Sequence, residues 1–141
     1  MAWLGGIFTA AGEALAKPAG QTLARWVILD AIEEKPSTVA QIARRRGIAR
    51  QAVQRVADLL ERDGLAVYES NPEHRRARLL RPTPIGQEAL RTISIAQKTW
   101  ADALGAEFGE TRLRNATTLI NRIRQVVTSH GLPGGAGKPK P

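Results

Sequence analysis

The stretch STVAQIARRRGIARQAVQRVADLLERDGLAVYESNPEHRRARLLR, from Ser37 to Arg81, decides how this chain folds. Thr38 followed by Gln41 is a capping box, in which a hydroxyl and an amide satisfy orphan backbone N–H groups at a helix start. Val39, Ile42 and Ala43 mark the inward face of that first helix, and Gly47 stands where a glycine commonly ends one. From Arg50 to Asp63 a second helix is expected. Its Val53, Val56, Ala57 and Leu60 fall at i, i+3, i+4 and i+7, one apolar stripe. The other face carries Arg50, Gln51, Gln54, Arg55 and Asp58. Two helices joined by a short glycine-containing turn form a helix-turn-helix, whose second helix enters the DNA major groove.

A hairpin follows. Leu65 to Glu69 alternates as a short strand, with Leu65 and Val67 expected inward and Ala66 and Tyr68 outward. Asn71-Pro72 signals a turn, and the return strand is expected from Ala77 to about Arg81. Arg75, Arg76 and Arg78 beside a protruding turn are poor core material and suit a phosphate track or a minor groove. Arg44, Arg45 and Arg46 complement the helix dipole at the end of the first helix, and one of them is expected to reach a phosphate.

The segment resembles the winged helix-turn-helix of MarR-family transcriptional regulators. NPEHRRARLLRPTPIG is similar to that family's D-P-x-D-R-R-x-x-x-x-x-L-T-x-x-G pattern at Pro72, Arg75, Arg76, Thr83 and Gly86. The resemblance extends from about Thr22 to Val127. Asn71 and His74 stand where the family has acids, Ala49 where it has a Ser or Thr cap, and Pro82 where it has an apolar strand residue. The loss of two carboxylates, at Asn71 and His74, is expected to lessen repulsion from phosphate.

The resemblance implies a mainly α fold with a small β-hairpin wing. It divides the chain into an N-terminal dimerisation helix and break (1–20), a DNA-binding lobe (21–83), C-terminal dimerisation helices (84–129) and a disordered tail (130–141). It also implies a homodimer that represses from a pseudo-palindromic operator, and a small aromatic or amphipathic effector near Trp26 or Trp100. Arg50, Gln51, Gln54 and Arg55 are the candidates for base edges, arginine pairing with guanine and glutamine with adenine. Thr38, His74, Arg75, Arg76 and Arg78 are assigned to backbone or minor groove, giving affinity and salt dependence.

Composition agrees. The 141 residues carry a formal charge of +8, and Lys35 to Arg81 alone holds 11 Lys and Arg against 5 Asp and Glu. Clustered positive charge points to an acidic partner, nucleic acid first. With no cysteine and two histidines, a disulfide framework and a thiolate or histidine metal site are excluded, and no cofactor is implied. No nucleophile–base pairing or glycine-rich phosphate loop supports an enzyme. No apolar run approaches the ~18 residues of a membrane span. The apolar start MAWLGGIFTAAGEALA lacks a basic region and contains Glu13, so a leader is not expected and the cytoplasm is. The competing reading is an architectural protein that coats DNA without selection, or a winged helix that docks a protein.

The flanks complete the pattern. Ala2 to Ala16 has Trp3, Ile7, Ala11, Ala14 and Leu15 at helical spacing. After Lys17-Pro18-Ala19-Gly20, Thr22 can cap a helix holding Leu23, Trp26, Val27, Leu29, Ala31 and Ile32. Thr83-Pro84 supplies an N-cap and a proline at the first helical position. A long helix to about Phe108 is expected, then Gly109, then a helix to about Ser129 striped by Leu113, Ala116, Leu119, Ile120, Ile123 and Val127. The tail GLPGGAGKPKP should not pack.

Overall fold

A computed structural model describes residues 2–130. The expected tail, beyond His130, lies outside the described residues. The order is α1 (Ala2–Ala16), a 3-10 turn (Lys17–Ala19), α2 (Leu23–Glu33), α3 (Val39–Arg46), α4 (Arg50–Arg62), β1 (Ala66–Glu69), β2 (Leu79–Pro82), α5 (Pro84–Phe108) and α6 (Glu110–His130). The mainly helical fold with a two-stranded wing is therefore as expected. The chain forms two compact units that divide between Lys98 and Thr99, within α5.

In the first unit the core is aliphatic. Ile28, Leu29 and Ile32 of α2 meet Val39 and Ile42 of α3, Val53, Ala57 and Leu60 of α4, and Leu80 of β2. Each helix turns its one apolar face to this shared centre, leaving its charged face in water. The caps are local. Thr22 accepts from the Arg25 N–H, and Thr38 and Gln41 form the reciprocal capping box. Gly47 ends α3 at φ 65°, a left-handed conformation that glycine adopts without steric penalty. Ala49 precedes α4 without a side-chain cap.

The β1–β2 pair is antiparallel, with Ala66 opposite Pro82 and Tyr68 opposite Leu80. Ser37 exchanges two backbone hydrogen bonds with Leu80, at 3.1 and 2.9 Å, so the wing root is tied to the start of α3. The inward face is Ala66, Tyr68, Leu80 and Pro82, which corrects the expected phase of β1. Leu65 is buried, but it sits in the bend before the strand and does not share its pleat. Counting alternation from Leu65 therefore displaced it by one residue, and one residue exchanges the faces of a strand. The return strand also begins at Leu79 instead of Ala77.

Helix α5 starts under a tight constraint. Thr83 Oγ1 donates to the Gly64 carbonyl at 2.6 Å and accepts from the Gly86 N–H at 3.2 Å. A Cβ on Gly86 would lie 2.0 Å from the Leu65 carbonyl oxygen, so only glycine lets α5 approach the end of the helix-turn-helix this closely. Ala89 and Ile93 then face the core, whereas Ile85 is exposed. Among the described residues, no helix is long and apolar enough to cross a membrane.

Candidate nucleic-acid interface

Burying Val53, Ala57 and Leu60 fixes the roll of α4 and leaves Arg50, Gln51, Gln54 and Arg55 exposed on its other side. A groove of about 300 Å³ runs between the start of α3, this face and the wing. Thr38, Arg50, Gln54, Tyr68, Arg76 and Arg78 line it. Five of the nine candidate residues thus share one groove. Gln51, Arg55, His74 and Arg75 are exposed outside it.

A closed polar ring joins α4 to the wing. Gln54 Nε2 donates to Asp58 Oδ1 at 2.7 Å and to the Tyr68 hydroxyl at 2.9 Å. The Tyr68 hydroxyl donates to the same Asp58 oxygen at 3.1 Å. Partial burial, then the hydrogen bond to Asp58, pushes the Tyr68 phenol up to about 12, because both disfavour a phenolate there. On the other side of Tyr68 the Arg78 guanidinium lies 4.9 Å from the ring centroid, within cation–π reach, and donates to the Tyr68 carbonyl at 2.8 Å. Arg78 is thus folded back along the wing.

The cations divide into held and free. Arg45 donates to the Ala31 carbonyl and to Ser37 Oγ, both at 2.8 Å. Arg46 pairs with Asp30, and Arg25 with Asp63. Arg62 and then Arg25 hold the Asp63 carboxyl below its ordinary range. Of the three arginines ending α3, only Arg44 has no partner among the described residues. Arg50, Arg55, Arg75 and Arg76 likewise make no ion pair with a described residue. Free guanidinium groups on one face can exchange water and counterions for phosphates; those already paired would first have to break a bond.

Thr38 lies deeper than expected. It is buried, and its oxygen accepts from the Gln41 N–H at 3.2 Å, so its first duty is the cap. Asn71 corrects the expectation for the wing. Its side chain is buried, donates to the Ala77 carbonyl at 2.9 Å and accepts from the Glu73 N–H at 3.0 Å. A carboxylate there would face a carbonyl inside the loop instead of a phosphate, so an acid at 71 is not a term in repulsion. His74, Arg75 and Arg76 occupy the exposed tip.

Trp26 is half-buried against the core and lines a hollow of about 200 Å³ with Leu23, Val27, Asp30, Arg46 and Gln97. Trp100, in the second unit, is 40 % exposed and is not among that hollow's residues. Sequence reasoning missed Asp58 and Tyr68 as parts of the interface. Gln54 and Asp58 were visible as an i, i+4 pair; Tyr68 was hidden by the misplaced strand phase.

A model of the MarR family matches residues 19–77. An uncharacterized protein of Mycobacterium tuberculosis is 43 % identical over 91 residues, 64 % of each chain, so the match spans less than two-thirds of that relative's length. Among solved structures, Staphylococcus aureus MarR in complex with salicylate and kanamycin is similar at a TM-score of 0.79 and 19 % identity. That match covers 93 % of this chain and 89 % of the other. The M. tuberculosis transcriptional regulator MosR in complex with DNA is similar at 0.68 and 21 % identity, covering 87 % and 91 %.

Proposed function

We propose, for a chain that carries the winged helix-turn-helix of the MarR family, sequence-specific binding of double-stranded DNA as a transcriptional repressor. The observation that carries this reading is the open face of α4 standing beside an arginine-tipped wing, with Arg50, Arg55, Arg75 and Arg76 uncommitted. In the docking we propose, α4 enters a major groove while His74, Arg75 and Arg76 follow the adjacent backbone or minor groove. The solved relative bound to DNA supports the same use of the fold here.

The regulator would act as a homodimer on a pseudo-palindrome with half-site centres about 10 bp apart or a multiple. Two apolar surfaces support this: Trp3, Ile7 and Phe8 on α1, and Leu119, Ile120, Ile123 and Val127 on α6, all left exposed in a single chain. A small aromatic or amphipathic effector would release the DNA. The hollow beside Trp26 is its candidate seat, and the relative holding salicylate and kanamycin supports such a ligand.

The test is duplex binding by Arg55→Ala and Arg75→Ala on a sequence selected from random duplexes. Each is expected to weaken binding at least about tenfold, as loss of one good base or groove contact does. Unchanged affinity in both would remove the docking.

A further inference from the structure

The ring Gln54–Asp58–Tyr68 has a consequence for what α4 can read. A carboxylate has no proton to give, so the Gln54 atom lying 2.7 Å from Asp58 Oδ1 has to be the nitrogen. Turning the amide over would set two oxygens against each other at that distance. The amide's second N–H goes to the Tyr68 hydroxyl, whose own proton goes to Asp58. Both donors of Gln54 are therefore spent inside the protein, and Oε1 receives no hydrogen bond from any described residue. Tyr68 cannot drift to release it, because β1 holds its backbone and Arg78 covers its ring.

We infer that Asp58 and Tyr68 make Gln54 an acceptor-only reader, so that the base beneath it is selected for an exposed amino group, adenine N6 or cytosine N4. This rests on the DNA-binding reading and departs from it in one respect. A free glutamine contacts adenine with both ends of its amide, donating to N7 and accepting from N6. Here the donating end is occupied. Freeing it exchanges one charge-assisted and one neutral hydrogen bond for a single neutral bond to N7. Asp58 and Tyr68 are thus positioning residues for specificity.

The experiment starts from the base pair whose preference disappears in Gln54→Ala, located on the selected duplex. In synthetic duplexes, removing the amino group there (purine for adenine, or pyrimidin-2-one for cytosine) should weaken wild-type binding roughly tenfold. If the base is adenine, 7-deazaadenine should cost less than about twofold. In Asp58→Asn the amide at 58 can donate, so Gln54 is free to turn. Amino-group dependence should then fall to within about twofold. Without DNA, the Gln54 side-chain amide protons should exchange with solvent more slowly than those of Gln51, and Asp58→Asn should abolish the difference.

Tight binding in which 7-deazaadenine costs as much as purine, or in which removing the amino group at that pair costs nothing, overturns the inference and leaves the DNA-binding reading standing. So does a Gln54→Ala protein with every base preference intact. Retention of no duplex by any of these proteins overturns both.

Discussion

Helices α4 and α6 carry similar apolar stripes and end in opposite states. In α4, Val53, Ala57 and Leu60 are fully buried against α2, α3 and the wing strands. In α6, Leu119, Ile120, Ile123 and Val127 remain 41–60 % exposed. Periodicity made both helices, but among the described residues only α4 buries its stripe. An amphipathic helix left unpartnered in one chain is most simply completed by a second copy, since a contiguous apolar patch on a monomer marks an interface. On the homodimer reading proposed above, α4 is stabilised by folding and α6 by assembly.

The largest expected effect breaks the α6 side of this contrast. The pair Ile120→Glu and Ile123→Glu should convert a dimer to a folded monomer, read by sedimentation together with circular dichroism. A dimer that survives would show that the stripe has another purpose. On the α4 side, Leu60→Ala should lower folding stability by about 2–5 kcal/mol in urea denaturation, as large-to-small core changes do. A loss below ~1 kcal/mol would contradict the packing described.

A smaller effect separates neighbouring arginines. Arg45→Ala should cost roughly 1–3 kcal/mol of stability, because it leaves the Ala31 carbonyl and Ser37 Oγ without a charged donor. Arg44→Ala should leave stability unchanged while lowering the slope of log affinity against log salt by about 1. Equal behaviour of the two would erase the distinction between held and free cations.

The smallest effect concerns the ring on α4. Tyr68 is the only tyrosine, so ultraviolet absorbance of the phenolate follows it alone. Its midpoint should lie near 12, against 10.0 for an ordinary phenol, and Asp58→Asn should bring it down. Because the folded value is the higher one, its contribution to stability is complete below pH 10 and is lost as pH rises toward 12. A midpoint at 10 would mean that the ring is open in solution.

These contrasts show which features were legible in the sequence. The capping box at Thr38, the turn at Gly47 and the Thr83 cap on the Gly86 N–H depend on neighbours within four residues, and each reads directly. The roll of α4 was legible because burial of Val53, Ala57 and Leu60 leaves Gln54 and Arg55 outside. What could not be read depends on distant partners. Arg45 is captured by a carbonyl 14 residues earlier, whereas Arg44 beside it is not. Tyr68 meets Asp58 only because β1 is phased by its pairing with Leu80 and Pro82, which no count along β1 alone reveals. Asn71 resembled a surface substitution at the wing and proved to be its internal fastener. Gly86 was visible only as part of a pattern, and its reason is the Leu65 carbonyl, 21 positions before it in the chain.

The most direct test of the central claim is selection of bound sequences from a pool of random duplexes by the full chain. A two-fold symmetric sequence with half-site centres about 10 bp apart, or a multiple, is the predicted result. A pool enriched only in base composition, with no symmetric core, would contradict it.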